Sequence, residues 1–196
     1  MALASNPFGF KPISHLKGGI IRAREYKIAS GLAANIGQGD MVKSTGTTRQ
    51  ITLAAATDAV LGCFWGCRYV DSTGQPKWSK NWPTGTVLAT GTECVALVYD
   101  DPGILFQVMS AAVANVDLGA DANLNAGAGV SSTGISGQYV DSSTGSAVQW
   151  KVYNIPPFPY RNSTGGYELG AAGSFVPVEV YAMKHELAGT AAGVFV

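Results

Sequence analysis

The chain has 196 residues and sets 13 Lys or Arg against 13 Asp or Glu, so its formal net charge is zero. That balance argues against a nucleic-acid partner, whose phosphates demand a basic excess. Charged residues make up 13% of the chain, about half the usual share, and this suits a surface that is covered within an assembly.

Residues 1–18 contain Pro7, Phe8, Phe10 and Pro12 without a strand-like period and read as an extended N-terminal arm. Phe8 and Phe10 alternate with Pro7, Gly9 and Lys11, an arrangement expected to aim both rings to one side as pegs. The opening MALASNPFGF has neither a basic n-region nor an apolar h-region, so no export signal is expected. No apolar stretch reaches the length of a membrane helix, so no membrane partner is expected either.

From there the pattern is β almost throughout. Residues 19–29, 49–53, 59–69, Pro76–Ser79 and 93–99 are rich in β-branched and aromatic side chains, as are 104–109, 134–140, 147–153 and 174–184. In the last of these, apolar residues fill both alternating sets, so the strand should be covered on both faces, with Glu179 needing a partner. Ser-Thr-Gly recurs five times, starting at Ser44, Ser72, Ser132, Ser143 and Ser163, and serves as turn chemistry. Only residues 31–36 and 110–118 could hold a helical turn. The expected fold is all-β, a β-sandwich or barrel with an extended N-terminal arm and very little helix. Its parts are the arm 1–18, a first β block 19–109, a second 110–184 packed on the first or continuous with it in one β domain, and a tail 185–196.

Cys63 and Cys67 stand four apart in one expected strand, about 13 Å from each other on one face. That is too far for a disulfide, so these thiols and Cys94 should be free and buried. The only histidines, His15 and His185, lie near opposite ends of the chain, so no zinc site is expected. Asp121-Ala122-Asn123-Leu124-Asn125 matches the first half of a calcium loop, but Ala126 replaces the turn glycine and Ser132 the bidentate Glu. Asp100-Asp101-Pro102-Gly103 reads as a turn closing a hairpin between Tyr99 and Ile104. There is no nucleophile elbow, P-loop or dinucleotide fingerprint, so the reading is of a protein that is not an enzyme and carries no cofactor and no metal.

What stands out is an aromatic and basic stretch, Lys77-Trp78-Ser79-Lys80-Asn81-Trp82-Pro83. Trp is a common interface anchor, so Trp78, Lys80 and Trp82 join Phe8, Phe10 and Lys11 as expected partner-binding residues. Trp78 and Trp82 also suit stacking on sugars, which keeps open a glycan- or receptor-binding module of a tail fibre or spike.

Asn6-Pro7-Phe8-Gly9-Phe10-Lys11-Pro12, Gly39-Asp40-Met41-Val42-Lys43 and Leu61-Gly62-Cys63-Phe64-Trp65-Gly66 carry a family likeness. So do Asp71-Ser72-Thr73-Gly74, Val98-Tyr99-Asp100-Asp101-Pro102 and Asn125-Ala126-Gly127-Ala128-Gly129. Over residues 6 to 184 the chain resembles the small structural proteins of tailed-bacteriophage heads, among them capsid decoration or cement proteins. The resemblance implies a β-rich virion module, made in the host cytoplasm. It would bind the major capsid protein on the outer shell surface and clamp neighbouring subunits. Self-association is the second expectation, because symmetric shells present symmetric sites, with a homotrimer first and a dimer second.

Overall fold

A computed structural model of the chain describes residues 7–46, 48–111, 118–127, 129–130, 132–141, 148–156 and 175–188. Twelve strands and no helix occur among them, so the all-β expectation holds.

The first sheet comprises β2 (Ala23–Ile28), β3 (Met41–Ser44), β4 (Ile51–Leu53), β5 (Gly62–Val70), β6 (Pro76–Ser79) and β7 (Cys94–Tyr99). Its order is β2-β7-β5-β3-β4, with β6 pairing on β5. A bridge between Lys27 and Gln50 draws β2 and β4 together, helped by the Lys27 N–H donating to the Arg49 carbonyl at 2.9 Å. The strip thus curls round a core that includes Ile28, Ile36, Val42, Phe64, Trp82 and Val98.

The second sheet comprises β1 (Lys11–His15), β8 (Ile104–Ala111), β9 (Asp121–Asn125), β10 (Tyr139–Asp141), β11 (Trp150–Asn154) and β12 (Phe175–Ala182). Its order is β1-β8-β10-β9-β11-β12, and β12 also pairs with β8. Strands β8, β10, β9, β11 and β12 therefore form a closed ring, with β1 attached outside it along β8. Closure hides the sheet edges. Alternation fills the interior: Val176, Val178, Val180 and Ala182 from β12 meet Ile104, Phe106 and Val108 from β8, around Trp150. On β12, Glu179 accepts from Asn154 Nδ2 at 3.0 Å, which supplies the expected partner.

The N-terminal arm is the main departure from the sequence reading. Lys11–His15 is a strand of the second sheet, antiparallel to β8. Phe10 is 1% exposed in the core, its ring centroid 4.8 Å from that of Trp150 and 6.1 Å from that of Phe106. The two rings are not a pair of exposed pegs: Phe8 is half-buried and Phe10 buried, and Gly9 between them has φ +74°, which breaks a regular extended alternation. A Cβ there would sit 2.5 Å from Ser136 Cβ and 2.7 Å from the Gly39 carbonyl, so the chain passes these neighbours only as glycine.

The boundary drawn between 109 and 110 falls inside β8. The Asp100–Gly103 turn exists, with the Gly103 N–H donating to Asp101 Oδ1 at 2.8 Å. It closes no hairpin, however: β7 lies in the first sheet and β8 in the second, so the turn is the crossover between barrels. Residues 31–36 form no helix; Ile36 bridges to Trp82 instead. Of 110–118, residues 110–111 end β8 and 112–117 lie outside the described residues. The half calcium loop is strand β9. The tail begins tied down, with the Glu186 N–H donating to the Val60 carbonyl at 2.9 Å, and residues 189–196 lie outside the described residues.

All three cysteines are free and buried, but Cys63 and Cys67 face opposite ways. The register of β5 on β7 shifts between Phe64 and Gly66, and such a bulge inverts the alternation beyond it. Cys63 enters the core of the second barrel and Cys67 that of the first.

Buried polar groups join the barrels. Gln138 Oε1 accepts from the Met41 N–H at 2.7 Å, and the Ser136 hydroxyl donates to the Asp40 carboxylate. Gln149 Nε2 donates to the Ala55 and Asp58 carbonyls at 2.9 and 2.7 Å, while its Oε1 accepts from the Leu124 N–H.

Candidate functional site

The six expected partner-binding residues fall in three places. Phe8, Phe10 and Lys11 line one pocket of about 440 Å³, together with Ile21, Gln38, Trp65, Tyr99 and Ile135. This pocket lies on the seam between the barrels, since β1 belongs to the second and β5 to the first. Trp65 is the extra residue of the β5 bulge, 41% exposed, with its ring centroid 5.5 Å from that of Tyr99. Bulges re-aim side chains in this way beside binding sites. The Lys11 ammonium lies 4.2 Å from the centroid of the Phe8 ring.

Trp78 stands elsewhere, on β6, and is 61% exposed. It pairs across to Arg68, which pairs to Val95, which pairs to Lys27. Cross-strand partners share a face, so this row forms the outer surface of the first barrel. The charges around it are already matched: Arg68 with Glu25 at 2.7 Å, Lys27 with Glu93 at 2.6 Å and Lys77 with Asp71 at 2.7 Å. Lys80 follows β6 and is exposed.

Trp82 is neither an anchor nor a stacking platform. It is fully buried and packs edge-on against Tyr69 with ring centroids 5.3 Å apart. Its main chain exchanges two hydrogen bonds with Ile36, at 2.7 and 3.0 Å. These long-range bonds fix its inward orientation, and the local sequence does not reveal them.

A further cluster was not read from the sequence at all. His15 and His185, remote in the chain, both lie beside the Asp100-Asp101 crossover. His15 Nε2 is 3.2 Å from Asp101 Oδ1, and both aspartates act electrostatically on His185. Asp100, 1% exposed, accepts from the Tyr26 hydroxyl at 2.6 Å. Burial, followed by that bond, pushes the Tyr26 phenol up to about 12. The hydrogen bonds of the two rings run to Asp101, to the main-chain N–H groups of Lys17 and Leu187 and to the main chain of Leu61, so the cluster acts as a strut at the crossover. Among the described residues no group of three or more His, Cys, Asp or Glu is placed to hold a metal ion.

Two buried groups give opposite pH dependences. Burial raises Asp40 from 3.8 to about 6, against the bonds it accepts from Ser136 and Gly37. The folded state therefore holds that proton more tightly, and this contribution is complete below about pH 4 and lost as pH rises through about 6. Burial lowers His185 from 6.5 to about 4, so its contribution is complete above about pH 6.5 and lost as pH falls through about 4. Each amounts to about 3 kcal/mol, and in the wild type they offset. Asp40→Asn should make stability fall on acidification across this window, and His185→Gln should make it rise. Urea midpoints at each end of the window check this, and an unchanged pH profile in either variant contradicts it.

No protein-family model, curated protein or solved structure matches this chain.

Proposed function

We propose that the chain is a structural protein of a tailed-phage head. It binds the outer surface of the capsid shell and cements neighbouring major-capsid subunits. The observation that carries this reading is Trp78, 61% exposed on a sheet edge among charges that are matched within the chain. Such a surface binds by apolar burial and by strand addition at the β6 edge, with little contribution from ion pairs. A shell of repeated, symmetric sites suits this attachment, and a homotrimer at local three-fold positions is the first expected form, a dimer the second.

The copy number in purified particles tests it: hundreds per particle support shell decoration, and a handful support a tail or spike part. Bound copies should also survive a wash in molar salt, where the Debye length falls to about 3 Å. Release by salt alone would make the contact electrostatic and count against this surface. A second reading, a glycan-binding module, rests on Trp78 alone now that Trp82 is in the core. Binding of the isolated protein to a glycan array, lost in Trp78→Ala, would favour it.

A further inference from the structure

Three features meet at the seam pocket. Its apolar walls are the rings of Phe8, Trp65 and Tyr99, with Ile21. Its one charged lining residue is Lys11. Among the described residues no carboxylate lies within ion-pair distance of that ammonium, which rests over the Phe8 ring. Beside the pocket runs β1, the end strand of its sheet order, paired only with β8. Lys11 is exposed, so its ammonium is presented at the mouth of an aromatic pocket with no anion of the described residues beside it.

We propose that this pocket receives one aromatic or branched aliphatic side chain from an extended segment of a partner protein. A carboxylate one or two residues away in that segment then reaches Lys11. The volume of about 440 Å³ falls in the range of ligand pockets and takes one large side chain with the backbone that bears it. The rings supply stacking and edge contacts. The unmatched cation selects an acidic neighbour over a basic one. The outer edge of β1 offers main-chain pairing to an extended segment, and Pro12, which has no N–H, limits that pairing to a few bonds and keeps the edge from recruiting copies of itself. Covering Trp65 explains why the β5 bulge turns a tryptophan towards solvent. This inference does not depend on the identity of the partner or on the shell-binding reading, because the pocket shares no lining residue with the surface around Trp78, formed by Arg68, Tyr69, Lys77, Glu93 and Val95.

The test uses the full chain labelled with ¹⁵N and a set of capped pentapeptides on a threonine frame. Each has phenylalanine second and aspartate, asparagine or lysine fourth. The aspartate peptide should shift the Trp65 indole N–H and the Lys11 and Gly39 amides saturably, in the millimolar range. The lysine peptide should bind roughly fivefold more weakly, the size of an exposed ion pair. Lys11→Glu, a change at an exposed position, should invert that order, and Lys11→Gln should level it. Absence of saturable shifts at these positions, equal binding by all three peptides, or an order untouched by Lys11→Glu would each overturn the proposal.

Discussion

Phe10→Ala should lower the unfolding free energy by about 3–5 kcal/mol, the usual range for emptying a buried phenylalanine site. The ring is 1% exposed and wedged between Phe106 and Trp150. Its main-chain N–H donates to the Gly39 carbonyl at 2.8 Å, and its carbonyl accepts from the Cys63 thiol at 3.3 Å. The backbone is therefore held there whatever the side chain, and the cavity collapses poorly. Deleting residues 1–18 removes this ring and all of β1, leaving one edge of β8 unpaired along Ile104–Gln107 while β12 holds the other. The deletion should cost more than Phe10→Ala, contrary to the intact fold that a dispensable arm would allow. Phe8→Ala, at a half-buried pocket wall, should cost about 1 kcal/mol or less. Urea titration of the three variants decides. A deletion that unfolds at the wild-type midpoint would show that β1 adds nothing to the second barrel.

Trp82→Ala and Trp78→Ala should behave as opposites. Trp82 is fully buried, so its truncation should cost about 3–5 kcal/mol of stability. Trp82→Phe should cost less, because it keeps most of the ring and discards a buried indole N–H that has no partner among the described residues. Trp78 lies over solvent, so Trp78→Ala should change stability by about 0.5 kcal/mol or less. If the shell-binding reading holds, the same variant should weaken attachment to particles by ~2 kcal/mol or more, roughly thirtyfold. Thermal melting of the isolated proteins and gel densitometry of washed particles separate the two effects. Trp82→Ala melting with the wild type would contradict the core placement, and full occupancy by Trp78→Ala would remove this face from the mechanism.

Much of the architecture was legible along the chain. The β-branched run through Val176, Val178 and Val180 marks β12, though not which of its faces points inward, and Pro76–Ser79 emerges as β6 where its side chains indicate. Turn residues mark the breaks, and the three thiols are buried and unpaired. Strands β1, β3 and β9 were not legible. Lys11–His15 carries a proline, Met41–Ser44 has two apolar residues followed by two polar ones, and Asp121–Asn125 has only Ala122 and Leu124 as apolar residues. Each becomes a strand because a partner edge is waiting for it.

The site was half visible in the same way. Phe8, Lys11 and Trp78 are surface residues that composition picks out. The Trp65 bulge depends on the register of β5 against β7, and the placement of His15 and His185 beside Asp100-Asp101 depends on where the chain crosses between barrels. Periodicity records which residues face together within a strand, because that is set by local backbone geometry. Which sheet a strand joins, whether the sheet closes, and which remote side chains then meet are set by long-range pairing. For this chain the sequence determined an all-β protein with a low-charge surface. Its tertiary structure alone decided that the arm is an edge strand preceded by a core phenylalanine, that Trp82 is interior, and that an aromatic pocket opens on the seam.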